Sequence, residues 1–198
     1  MEREGLEYRT GDCTLLIRSD SIDSRPYSFS SHPDEPTLKF LVRGLDGPGP
    51  DRSFSQWLGE LRPGDEVGIG TPFGWFRPGA SLHEIWFATG TGVSPFLSAL
   101  RAARPVRPLA FCVGVRAPRD AVLRNFVEEL APVHWAFSRL GEGGHPPRRV
   151  TDFAGEVPTS PENRYFLCGN QRMIRAVAEV LRGRGVSPSQ IHEELFFQ

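Results

Sequence analysis

A strand predicted over residues 84–88, apolar from Ile85 to Ala88, ends in the turn Gly90-Thr91-Gly92, and Pro95 follows at the opening of a helix predicted over residues 95–103. Proline suits the first turn of a helix, where its missing N–H has no partner to lose, so strand, glycine turn and helix are joined in that order. The alternation then continues, with strands predicted over residues 109–114, 134–138 and 165–168 and helices over 122–130 and 173–182. Strands alternating with helices specify an open, mainly parallel α/β sheet. Ligands of such sheets lie at the carboxyl edge of the strands, where a glycine turn lets backbone amides and a helix N-terminus approach a phosphate. No Gly-Lys-Ser/Thr follows Gly92, which excludes a nucleoside-triphosphate loop. Taken alone, the segment also fits a plain tight turn into a helix.

The first 76 residues follow a different pattern. Short β-like runs at 13–17, 27–30, 37–42 and 66–69 are separated by turn chemistry at 32–36, 46–50 and 62–65, with one helical stretch at 55–61. Several short strands at such spacing predict a small antiparallel β-barrel. Residues 76–81 read as a hinge, which divides the 198-residue chain into a barrel over residues 1–78 and an α/β domain over residues 79–198.

Composition removes several functions. A net charge of −1 lacks the basic excess that phosphate-backbone binding requires, so nucleic acid is not an expected partner. Lys39 is the only lysine, and the arginine excess reads as a composition bias balanced by acids. No apolar run reaches the ~20 residues of a spanning helix, and the start lacks the basic-then-apolar order of a signal peptide, so a cytoplasmic protein without a membrane partner is expected. Cys13, Cys112 and Cys168 are too few and too widely spaced for a disulfide framework or a four-thiolate cluster within one chain, no iron-sulfur ligand run is present, and no metal is expected.

Three further segments carry candidate chemistry. Arg25-Pro26-Tyr27-Ser28 places a guanidinium fork, an aromatic face and a hydroxyl on one strand, with alternation setting Arg25 and Tyr27 on the same side. A core tyrosine beside a surface arginine is the simpler alternative. Cys168-Gly169-Asn170, with Met173 behind, closes an apolar strand at the same edge as the glycine turn. Its thiol either faces a ligand ring or is a buried structural cysteine. The terminal run His192-Glu193-Glu194-Leu195-Phe196-Phe197 joins carboxylates to aromatics that need a large packing partner, or forms a last edge strand.

Together these segments resemble the ferredoxin-NADP(+) reductase family, in which a flavin-binding barrel precedes an NAD(P)-binding α/β domain. The resemblance implies that Arg25 and Pro26 hold the FAD diphosphate region, Tyr27 stacks on the isoalloxazine and Ser28 bonds near its N5. Ser53, Phe54 and Ser55 match the second diphosphate contact, although Arg52 stands where glycine is common, while Leu41, Val42 and Arg43 would line the flavin through strand backbone. The turn Thr71-Pro72-Phe73-Gly74 is similar to the Gly-Pro-x-Gly turn before the interdomain link. In the second domain Thr89, Gly90, Thr91 and Gly92 match the pyridine-nucleotide diphosphate loop, and Gly114, Val115 and Arg116 the next strand end. Ser138 and Arg139 resemble the pair that binds the 2′-phosphate of NADP, which favours NADPH and leaves NADH as the alternative. Gly169, Asn170 and Met173 complete the nucleotide segment, with Cys168 near the nicotinamide C4, and Glu194 and Phe196 match the terminal carboxylate and aromatic around the flavin.

One departure stands out: only 24 residues precede Arg25, with Gly11-Asp12 in place of Gly-Gln, so the barrel is expected to lack a strand. The implied activity is that of an FAD-dependent NAD(P)H oxidoreductase passing electrons to a separate carrier of ferredoxin or flavodoxin type. A reductase of free flavin or another small-molecule acceptor, and a non-catalytic nucleotide-binding subunit, are the alternatives. Ser28, Cys168, Glu194 and Phe196 are the candidate catalytic residues.

Overall fold

The computed structural model describes residues 1–44, 54–139 and 146–195. The first unit is a three-stranded antiparallel sheet in which β1 (Cys13–Arg18) lies between β2 (Ser24–Ser28) and β3 (Val67–Ile69). Isolated bridges extend it, pairing Glu2 with Thr37, Cys13 with Phe73 and Phe29 with Phe40. Two small cores fill the unit. Tyr8 stacks on Phe29 with ring centroids 4.0 Å apart, above Leu38, while Leu16 packs on Phe54 and Trp57 of α1 (Phe54–Glu60).

The strand expected over residues 37–42 is not a continuous ladder. Its donors are divided among different partners: Leu38 N–H goes to the Met1 carbonyl at 2.8 Å and Lys39 N–H to the Ser31 hydroxyl at 3.0 Å. Only Phe40 bridges to Phe29, and residues 41–44 are irregular. Residues 1–3 run beside 36–38, so this edge is partly covered by the N-terminal segment, despite the expected lack of a strand.

The second unit is a parallel sheet in the order β6-β5-β4-β7-β8, built from β4 (Glu84–Thr89), β5 (Ala110–Val115), β6 (Val133–Phe137), β7 (Arg164–Gly169) and β8 (Ile191–Leu195). β4 is buried along nearly its whole length because helices cover both faces of the sheet, which is why residues 85–88 are continuously apolar. Ile85 and Phe87 face a core shared with α4 (Val150–Ala154) and α5 (Gln171–Gly183). Trp86 and Ala88 face the opposite core with α2 (Ser94–Leu100) and α3 (Arg124–Leu130). The short helix α4 has no counterpart in the sequence reading. The winding direction reverses between β4 and β7, which places the ligand crevice of such a sheet at the carboxyl ends of these two strands.

The segment expected to act as a hinge is pinned. The wholly buried Glu84 carboxylate accepts the backbone N–H groups of Gly79, Ala80 and Ser81 at 2.7, 3.0 and 2.9 Å, and the indole N–H of Trp86 at 2.8 Å. Phe76 inserts edge-on against Phe96 and Phe166, with centroids 5.5 and 5.3 Å away. A β-carbon on Gly11 would lie 1.9 Å from the Phe76 carbonyl oxygen, so the start of the first unit touches this segment backbone to backbone. Across the units, the Ser98 hydroxyl donates to the Ser31 carbonyl at 2.7 Å.

Each buried donor left unpaired costs about 1–3 kcal/mol. Glu84→Leu removes the acceptor of the buried Trp86 indole N–H and of three part-buried backbone N–H groups, and is expected to destabilise the protein by about 3 kcal/mol or more, lowering Tm by about 6–12 °C. Glu84→Gln, which keeps an acceptor, should fall between this variant and the parent in a thermal melt. Equal Tm values for all three would contradict the role given to this carboxylate.

Candidate functional site

The crevice at the switch point is built by close backbone packing. After β4 the chain enters a 3-10 turn (Gly90–Val93) that runs directly into α2, so the glycine segment is a tight turn rather than an open loop. A β-carbon on Gly92 would stand 2.4 Å from the Cys168 carbonyl oxygen, and one on Gly169 would stand 2.4 Å from the Thr89 hydroxyl oxygen. The Asn170 N–H donates to that same Thr89 hydroxyl at 3.0 Å, and the Asn170 side chain caps α5 through Arg172 N–H at 2.8 Å. The segments Thr89-Gly90-Thr91-Gly92 and Cys168-Gly169-Asn170 thus meet, as their sequence pattern suggested. Gly90, at φ +55°, has nothing within 4 Å of its missing β-carbon and borders open space beside them. Met173 is half-buried on α5 against the core beneath.

The next strand ends extend this edge. Gly114 allows Val150 to pack closely above β5, since a β-carbon there would meet its Cγ2 at 2.4 Å. Beyond it, Ser138 N–H bonds the Val115 carbonyl and Arg139 N–H bonds the Arg116 carbonyl, each at 3.0 Å. Arg116, Ser138 and Arg139 are all exposed, so two guanidinium groups and a hydroxyl come from adjacent strand ends.

On the first unit, the expected alternation along β2 is realised around one ring. Tyr27 stacks on Phe54 at 6.1 Å and 27°, and the Arg25 guanidinium carbon lies 5.9 Å from the same ring. Arg25 is exposed and paired with Asp23 at 2.5 Å; Pro26 is exposed between them. Ser28 is buried, and its Oγ has no hydrogen-bond partner. A buried hydroxyl without a partner carries a desolvation cost that a ligand acceptor or donor would relieve. Phe54 and Ser55 open α1, whereas Ser53 and Phe196 lie outside the described residues. Leu41 packs into the parallel-sheet core and Val42 and Arg43 follow without strand structure, so the expected lining by strand backbone is replaced by an irregular segment.

Two strand registers bring the units' site residues together. Cys13 lies opposite Ser28 in the β1–β2 pair, and Cys168 lies beside Glu194 in the β7–β8 pair. The Glu194 charge reaches both the Cys13 and the Cys168 thiols, so the β1–β2 face lies near the carboxyl edge of the parallel sheet. Burial, reinforced by Glu194 and Asp12, pushes the Cys13 thiol up to about 12. Burial likewise pushes Cys168 well up, with Glu194 adding to it. Burial thus favours the neutral form of both thiols, the form poorest as a nucleophile. Cys168 is wholly enclosed, so it is a floor of the crevice and not a group presented to solvent. The Glu194 carboxyl is also raised, first by burial and then by Asp12, against the opposing pull of Arg77. Arg77 itself lies 2.7 Å from Asp12, so the sequence position occupied by Gly11-Asp12 supplies a charge to the site that the motif reading did not identify. No group of three or more potential metal ligands occurs among the described residues, and none of their helices is long and apolar enough to cross a membrane.

No protein-family model matches the sequence. The chain is 30% identical over 194 residues to ferredoxin–NADP reductase B of Sorangium cellulosum, a match covering 87% of this chain and 78% of that protein. It is 25% identical over 187 residues to the ferredoxin–NAD(P)(+) reductase component of a naphthalene 1,2-dioxygenase system of Pseudomonas putida, covering 88% of this chain and 56% of that one, so it spans little more than half of this relative's length. Among solved structures, a ferredoxin NADP+ reductase from Neisseria gonorrhoeae with bound FAD and NADP shares the fold at a TM-score of 0.78 and 20% identity, over 98% of this chain and 89% of that one.

The raised Glu194 carboxyl gives a signed expectation. The fold favours its protonated form, so its contribution to stability is fully present below the ordinary carboxylate range and is lost as pH rises through the raised value. Relative to the parent, Glu194→Gln is therefore expected to gain Tm steadily as pH is raised from acid to neutral. A difference that shrinks or reverses with rising pH would show that Glu194 is held as a paired carboxylate. In the same assay Gly92→Ala, whose new methyl meets the Cys168 carbonyl, should cost about 1–3 kcal/mol, or a Tm lower by about 2–12 °C.

Proposed function

The chain belongs to the ferredoxin-NADP(+) reductase family of oxidoreductases, and on that premise we propose that it uses FAD to oxidise NADPH and delivers the electrons to a separate carrier of ferredoxin or flavodoxin type. Bound FAD supplies the chemistry, taking a hydride from the reduced nicotinamide and releasing electrons onward. The observation that carries this reading is the partnerless Ser28 hydroxyl, buried on the face that meets Cys168 and Glu194.

Each remaining role belongs to residues of this chain. Tyr27, braced by Phe54, offers a phenol ring for stacking, and burial keeps its hydroxyl protonated. The Arg25 fork holds the flavin diphosphate, sharing its Nη1 with Asp23. Pro26 fixes the backbone between them, with Phe54 and Ser55 at the second contact. Thr89 to Gly92, with Gly114, Val115, Gly169 and Asn170, form the crevice in which the nicotinamide nucleotide lies, and Arg116, Ser138 and Arg139 receive its adenosine phosphate. The enclosed neutral thiol of Cys168 supports the ring without reacting, and Glu194, held towards its protonated form, limits negative charge beside the flavin. Residues 1–78 carry the flavin part and residues 79–198 the nucleotide part in this assignment.

The first test is the visible spectrum of protein reconstituted with FAD, followed anaerobically as NADPH or NADH is added. Bleaching that is faster with NADPH supports the proposal; faster bleaching with NADH reassigns the coenzyme, and a protein that binds no flavin and oxidises neither coenzyme defeats it. Ser28→Ala provides an internal check. Because that hydroxyl has no protein partner, the variant should keep or raise the Tm of the flavin-free chain while reducing the rate of flavin reduction about tenfold.

A further inference from the structure

At the opposite edge of the parallel sheet from the crevice, a cavity of about 260 Å³ lies where the first unit, the pinned link and the end of α2 meet. Its lining includes Arg9 and His32 from the first unit, Arg77 and Gly79 from the link, and Ala102 and Arg104 from beyond α2. No carboxylate lines it. The charges differ in how far they are already satisfied. Arg77 is paired with Asp12 at 2.7 Å, and His32 Nδ1 accepts the Asp34 N–H at 3.2 Å. The Arg9 and Arg104 side chains have no ion-pair partner among the described residues.

We infer that this cavity binds a compact phosphate or diphosphate anion, clamped by the Arg9 and Arg104 guanidinium groups. Two guanidinium forks from separate segments match pairs of phosphoryl oxygens and hold them by charge-assisted hydrogen bonds. The small side chain of Ala102 and the absence of one at Gly79 leave the room, and a cavity of about 260 Å³ is large enough to admit an anion of phosphate or diphosphate size. Gly79 already touches the next element: a β-carbon there would stand 2.9 Å from Ala99 Cβ of α2. An anion in the cavity therefore touches both units and the link between them, which makes it a stabiliser of their junction. Apart from Arg77, whose charge also reaches Glu194, no lining residue belongs to the proposed flavin or nucleotide site, so the two kinds of phosphate binding are separable through Arg9 and Arg104.

The test is isothermal titration of the whole chain with inorganic pyrophosphate, set against sodium chloride at matched ionic strength, with thermal melts in parallel. Arg9→Ser and Arg104→Ser alter exposed side chains and should leave the fold intact. Each is expected to weaken pyrophosphate binding about tenfold or more, whereas Arg25→Ser and Arg139→Ser, at the proposed flavin and nucleotide phosphate positions, should leave the tightest binding event unchanged. The melts should show pyrophosphate raising the parent Tm and failing to raise that of Arg104→Ser. The inference is overturned by the absence of saturable binding, or by binding that survives both cavity variants. It is equally overturned by binding that disappears only with Arg25→Ser or Arg139→Ser.

Discussion

A single buried carboxylate organises the junction of this protein. Glu84 opens the central strand of the parallel sheet, and by gathering three consecutive backbone N–H groups and an indole N–H it fixes how the chain enters that sheet. A buried carboxylate is tolerable only when its lone pairs are filled, and here the donors come from the link preceding the strand and from the core residue Trp86. Phe76, anchored between Phe96 and Phe166, holds the other end of the same link. The face of β1 and β2 can then stand against the carboxyl ends of β4 and β7 in one defined arrangement, which a site divided between two units requires.

The crevice follows from backbone contact more than from side-chain reach. Thr89 serves as the common tie, its hydroxyl accepting from Asn170 while its backbone and side chain leave no volume for a β-carbon at Gly169. Gly92 lies on the Cys168 carbonyl in the same way. Glycine at these positions is thus a requirement of strand-end proximity, and the open space beside Gly90 is what remains after the surrounding turns have closed on one another.

The parts legible in the sequence were those written in local pattern. Apolar runs bounded by glycine located β4, β5 and β7, and the order of strand, turn and helix was sufficient for the parallel sheet. Long-range satisfaction of polar groups was not legible. Glu84 looks like the polar start of an apolar run, and nothing in one dimension shows that residues 79–81 fold back onto it. The run at 37–42 has strand composition, yet its N–H groups are shared out to Met1 and the Ser31 hydroxyl, which a propensity argument cannot anticipate. The helix α4 is five residues long, too short to display a helical period, and Asp12 looks in one dimension like a mere departure from a motif, although it places a charge beside Arg77 and Glu194. The position of Cys168 at a strand end is legible, but its complete enclosure in the core beneath α2 and α3 is a tertiary property.

The contact between Gly11 and the Phe76 carbonyl bears on how such a protein can be recombined. With no room for a β-carbon at residue 11, the beginning of the first unit and the end of the link have complementary shapes, while the Phe76 ring is fitted to a pocket in the second unit. A chimera that takes its front half from one reductase and its back half from another must therefore match at two places at once, the glycine on one side and the Phe96–Phe166 slot on the other. The link behaves as a key cut for both halves, and exchange of modules is constrained there more tightly than its length suggests.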